Sequence, residues 1–204
     1  FVAIAQQDMK KLIAYSSIAH MGFVTLGIFL VFNSLDQSNT FNATSHIGLQ
    51  GAIMQMLSHG LISAGLFMCI GIIYSRTKSR IIDEQSGIVQ VMPVFSALMM
   101  FFLLSNSGLP GTSGFVGEFM ILMGSFPSFK ILSSIAAFGV VLAAIYMLWA
   151  YQRIFNGQLN NDENAVLTDL NSKELVAVGP LLVLMLFIGV YPSFVESYIV
   201  NDVS

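Results

Sequence analysis

Charge is scarce in this chain: only 9% of its 204 residues are Asp, Glu, Lys or Arg, against roughly 25% in a soluble domain. Water is therefore not the solvent for most of its surface. With 55% apolar residues and a mean hydropathy of +0.78, the chain reads as an integral membrane protein. The net charge of −3 is scattered, and no basic run could neutralise phosphates, which speaks against nucleic acid as a partner. Cysteine is nearly absent too. Cys69 alone, in an apolar run, gives no disulfide framework, no metal cluster and no guide to redox compartment. No Gly-rich phosphate loop or nucleophile elbow occurs, so no cofactor, metal, redox centre or hydrolytic site is expected in this chain. Its opening, FVAIAQQDMKKLIAYSS, has neither an initiator Met nor the basic n-region of a signal peptide. It reads as a piece of a longer membrane protein.

What is present is long apolar runs. A bilayer core of about 30 Å takes about 20 helical residues to cross. On that measure the chain is an all-α protein of one transmembrane domain, 1–204, with five spans. They fall at about 12–32, 47–74, 93–126, 131–154 and 175–198. The third is too long for one straight helix and too short for two, so it is expected to be discontinuous, broken near 108–114. Five spans put Lys10, Lys11, Arg76, Lys78, Arg80, Arg153 and Lys173 on one side and leave Lys130 alone on the other. By the positive-inside rule the first side is the cytoplasm or the mitochondrial matrix. Lys10 and Lys11 are explained as snorkelling anchors, and the sequon Asn42-Ala43-Thr44 as a chance match.

A charged side chain in hydrocarbon costs about 2.5 to 3.5 kcal/mol even on the lenient insertion scale, so ionisable groups within a span need a reason. Three stand out: Glu118 in the broken span, His20 in the first and His59 in the second. Pro110 cannot continue a helix, and Gly108, Gly111 and Gly114 let the backbone unwind. Thr112 or Ser113 is expected to cap a restarted helix, whose partial positive charge would stabilise the Glu118 carboxylate. His59 has Gln55 and Ser63 at i−4 and i+4, and His20 has Ser16 and Ser17 behind it, so each sits in a polar stripe. A histidine reached by water can relay protons. A packing kink with an incidental Glu, and neutral histidines bonded for helix packing, are the plainer readings of the same residues.

Several runs then match in order. They are Asp8-Met9-Lys10-Lys11-Leu12-Ile13-Ala14-Tyr15-Ser16-Ser17-Ile18-Ala19-His20-Met21-Gly22, Ser58-His59-Gly60-Leu61 with Ala64-Gly65-Leu66-Phe67, Leu109-Pro110-Gly111-Thr112-Ser113 with Gly117-Glu118-Phe119, Asp169-Leu170-Asn171, and Gly189-Val190-Tyr191-Pro192. Over nearly the whole chain they resemble the subunit 4 family of respiratory complex I, NADH:ubiquinone oxidoreductase, whose bacterial counterpart is chain M. The resemblance implies an antiporter-like, proton-pumping membrane-arm subunit of fourteen helices in two inverted repeats, of which this chain supplies the last five. Glu118 would be the carboxylate at the outer end of a proton path, and His20 and His59 members of a hydrated axis along the membrane. It further implies that FMN, iron–sulfur clusters and ubiquinone belong to the parent complex. The implied partners are other membrane-arm subunits, including one supplying the upstream helices, and membrane lipids. The family's upstream acidic residue and lysines are not in this sequence, and the 33–46 loop is longer than the family's. The "DLN" and "GVYP" endings are most like plant and protist versions, which implies the mitochondrial inner membrane, with a bacterial plasma membrane as the alternative.

Two other functions fit the same residues: a subunit of a multisubunit cation/proton antiporter, and a structural membrane-arm fragment that no longer pumps.

Overall fold

The computed structural model describes residues 1–38, 43–159 and 166–203. Asn42 of the sequon lies outside them. Helix α1 is Met9–Ser38, α2 Ala43–Thr77, α3 Pro93–Asn106, α4 Ser113–Ser125, α5 Lys130–Phe155, α6 Ser172–Val190 and α7 Ser193–Val203. Two single turns of 3₁₀ helix, Ile82–Glu84 and Ile88–Gln90, lie between α2 and α3. Helices α1, α2, α5 and α6 are each long and apolar enough to cross a membrane. The fifth crossing comes from α3 and α4 together, 14 and 13 residues long, each about 20 Å at 1.5 Å per residue.

The break between α3 and α4 follows from the residues at 107–112. Helix α3 ends in a Schellman turn: Leu109 N–H bonds the Leu104 carbonyl at 3.0 Å and Gly108 N–H the Ser105 carbonyl at 3.1 Å. Gly108 stands at φ +74° and Gly111 at φ +89°, the left-handed region that favours glycine. Pro110 between them has no N–H to continue a ladder.

The fifth expected span, 175–198, is a correction. Helix α6 stops at Val190, Tyr191 turns out at φ −127°, ψ 65°, and α7 begins after Pro192. Pro192 disfavours helical backbone at the residue before it and offers no donor. An apolar count over the segment cannot register this.

One end of the bundle is a stitched plate. Asp8 pairs with Ile81 in an isolated antiparallel bridge, with Met9 N–H on the Arg80 carbonyl and Ile82 N–H on the Gln7 carbonyl, 3.0 and 2.8 Å. Arg153 is ion-paired to Asp83, and Arg76 reaches Glu174 at 2.7 Å and the Asp169 carbonyl at 3.2 Å. These bonds gather the ends of α1, α2, α5 and α6, and with them the seven basic residues named above, at one end. Lys130 starts α5 at the other. Glu174 also completes a capping box with Asn171 at the start of α6.

Within this plate Asp169 caps α3 from a distance. Met92, the residue before α3, makes no side-chain cap. The Asp169 carboxylate instead accepts from Val94 N–H at 2.9 Å and Phe95 N–H at 3.1 Å, the free donors that follow Pro93. Asp169→Ala is expected to cost about 1 kcal/mol and to fray the start of α3, read as a lower temperature for loss of helical structure.

Candidate proton site at the helix break

The structure brings the three sequence-predicted residues together from three helices. His20 on α1 and Glu118 on α4 are each 4% exposed, and His20 Nδ1 lies 2.6 Å from Glu118 Oε1. The His59 ring, on α2 and half-buried, is centred 5.6 Å from the His20 ring. His20 is the twelfth residue of a 24-residue span, so the pair sits near the middle of that span. At 2.6 Å a proton lies between nitrogen and oxygen. A neutral His20 donating to an ionised Glu118 carries one negative charge, and one further proton makes the pair neutral. In both states the Glu118 carboxyl keeps a hydrogen-bond partner, and in the neutral one its charge is also compensated.

Packing makes the contact possible. The α2·α4 contact is the most extensive between any two helices described, because α4 presents Gly117 to α2. A Cβ at Gly117 would stand 2.7 Å from both Cα and N of Gln55, closer than real atoms approach. That intimacy puts Gln55, 2% exposed, beside the carboxylate: its Nε2 donates to Glu118 Oε1 at 3.3 Å. The break itself adjoins the site, since a Cβ on Gly108 would lie 3.1 Å from Glu118 Oε2.

How the acid is stabilised differs from expectation. Thr112 occupies the N-cap of α4 but makes no side-chain cap; its hydroxyl donates to the Leu109 carbonyl at 2.7 Å. Glu118 is the sixth residue of α4, past the free N–H groups of the first turn. Among the described residues its hydrogen-bond partners are His20 and Gln55 side chains. A cation-capable imidazole and an amide hold the carboxylate, and the break serves to bring them near.

The polar stripes also resolve differently. Ser16 receives Asn106 Nδ2 at 3.4 Å and so joins the site, whereas Ser63 donates to the Gly60 carbonyl on an exposed face. Sequence reasoning gave Gln55 only a place beside His59, and it missed Asn106, Ser105 and Tyr146. Buried side-chain atoms without a hydrogen-bond partner collect here: His20 Nε2, Gln55 Oε1, Ser58 Oγ, Ser105 Oγ, Ser113 Oγ and Tyr146 OH. Such groups are costly unless water or a rearrangement satisfies them. His20, Gln55 and Ser105 among them line a crevice completed by His59, Ile62, Asn106, Gly114 and Glu118, which has no room for a water molecule as it stands. No three His, Cys, Asp or Glu among the described residues are grouped to hold a metal ion.

Known proteins resemble this chain over nearly its whole length. NADH-quinone oxidoreductase subunit M of Rhodobacter capsulatus is 46% identical over 97% of this chain. NADH-ubiquinone oxidoreductase chain 4 of Marchantia polymorpha is 44% identical over 93% of it. The chain spans 36% of the length of each. The solved respiratory complex I from Thermus thermophilus contains a chain that superposes on 95% of this one with a TM-score of 0.82 and 31% identity, this chain covering 38% of it. A family model matches residues 1–145, and on that match the chain belongs to the NADH:quinone oxidoreductase/Mrp antiporter transmembrane family.

Proposed function

We propose that this chain is the C-terminal part of a proton-translocating, antiporter-like membrane-arm subunit of NADH:ubiquinone oxidoreductase. The observation that carries the reading is the buried His20–Glu118 pair at 2.6 Å, beside a helix break and near the middle of an apolar span. Glu118 and His20 exchange a proton, and His59 passes it on along the membrane. Half-buried on the bundle surface, His59 needs a covering segment to keep its imidazole from acyl chains, and a partner supplying further helices would provide one. Quinone reduction elsewhere drives the cycle. FMN, iron–sulfur clusters and ubiquinone are held by other subunits, and the membrane is the mitochondrial inner membrane.

The family model also covers Mrp antiporters, so a cation/proton antiporter subunit is the second reading. Co-purification separates them: flavin and iron–sulfur partners favour the first, and small hydrophobic partners without redox groups the second. Glu118→Gln keeps the shape and removes the titrating acid. In sealed vesicles the assembled enzyme carrying it is expected to move fewer protons per electron, by the share this chain contributes. Undiminished pumping at normal turnover removes Glu118 from the mechanism.

A further inference from the structure

The proton-translocation reading uses Glu118, His20 and His59 and assigns nothing to Gln55. Yet Gln55 is 2% exposed, and a buried amide carries a desolvation cost that an apolar residue of the same shape would avoid. Its Nε2 donates to Glu118 Oε1 at 3.3 Å, on the oxygen that also meets His20 Nδ1. Its Oε1 is buried with no donor. One half of the amide is therefore spent on the carboxylate, and the other half meets no protein donor.

We propose that Gln55 is a positioning residue that holds the Glu118 carboxyl in line with His20 and answers its change of protonation. With Glu118 ionised, Nε2–H donates to Oε1. With Glu118 protonated, the acid has a proton to donate and the amide turns over, giving the orphan Gln55 Oε1 its partner. Without that bond the carboxyl is free to turn toward the orphan hydroxyl of Ser105, which lines the same crevice. Gln55 stands against Gly117, whose lack of a side chain brings the two backbones close enough for this bond. The groups packed around the carboxyl that titrate are His20 on α1, His59 on α2 and Tyr146 on α5, while α3 contributes the uncharged Ser105 and Asn106. Of the uncharged groups here Gln55 is the one bonded to the carboxyl, and an amide can serve both forms of the acid.

A donor bond to an ionised acceptor is worth roughly twice one between neutral groups. The net effect of Gln55 is then to favour the ionised form. Because the inference rests on the proton-translocation reading, its test reads the carboxyl itself as well as pumping. Dicyclohexylcarbodiimide modifies the carboxylic acid form, so its labelling of Glu118, followed by mass spectrometry against pH in the assembled complex, gives a midpoint. Gln55→Met keeps the size and removes both amide functions. It is expected to displace that midpoint and to shift the pH profile of coupled proton movement with it. If the complex assembles with Gln55→Met and the labelling curve superposes on that of the unsubstituted enzyme, the proposal is overturned. Should that variant not assemble, Gln55→Glu takes its place: a second carboxyl beside the first must displace the midpoint upward, and an unmoved curve is equally fatal. A Glu118→Gln enzyme that pumps normally, alongside a Gln55→Met labelling shift, sinks proton translocation while leaving Gln55 as the residue that positions the acid.

Discussion

Gly117→Ala is expected to remove the chain from its membrane assembly, although it adds a single methyl group. In an exposed helix interior the same change stabilises by about 1 kcal/mol, because alanine loses less backbone entropy than glycine. At Gly117 the new Cβ would lie 2.7 Å from the Gln55 Cα and N and 2.6 Å from its Oε1. Side chains can rotate aside, but the backbone of α2 cannot, so α2 and α4 must part. Overpacking of this kind costs about 1 to 3 kcal/mol, and parting the helices also loosens the Gln55 and His20 bonds to Glu118, worth several kcal/mol more when a buried charge loses its partners. Gly71→Ala on α2 is the control, since a Cβ there meets nothing within 4 Å. Chain recovered in the native complex, measured on a native gel, should fall steeply for Gly117→Ala and hold or rise for Gly71→Ala.

Removing His20 has an effect of similar size with a different signature. His20→Leu leaves Glu118 buried with only the 3.3 Å bond from Gln55. Either the ionised acid stays and costs about 3 to 5 kcal/mol, or it takes a proton and keeps it. Assembled complex should therefore decrease, and whatever assembles should have lost the proton step at this site. Pairing the change with Glu118→Leu removes both partners, which is close to neutral when the replacements are apolar and of similar shape. The double variant should recover assembly without recovering proton movement. Equal assembly of His20→Leu and the unsubstituted chain would show that the pair stores no such energy.

Much of this was legible in the sequence, and the part that was not has a common cause. The apolar runs, the Gly108-Pro110-Gly111 interruption and the ionisable residues at depth are local features, and each one constrains its own segment through solvation or backbone chemistry. Which helix face meets which is not local. Spans that are apolar all round carry little amphipathic signal to mark a buried side, so the stripe through Gln55, His59 and Ser63 looked like one face. In the fold Gln55 turns to Glu118 and Ser63 does not join it. Asp169 as the cap of α3 was hidden for the same reason: it lies 75 residues from the donor it serves. The misplaced end of α6 is a different case. Pro192 was visible, but its effect on Tyr191 was outweighed by an apolar count that ran through it.

The geometry also changes the physical account of the acid. Glu118 does not rely on the free N–H groups of a restarted helix; it lies beyond them and leans on an imidazole and an amide from α1 and α2. The interruption matters because it sets α4 against those two helices at close range.

A density map of the chain in its native membrane complex, sharp enough to show ordered water, tests this most directly. The account predicts α3 and α4 parted at residues 107–112, the Glu118 carboxyl on His20 Nδ1, and water reaching His59. A single unbroken helix from 93 to 126, with the Glu118 carboxyl turned to the acyl chains, would contradict it.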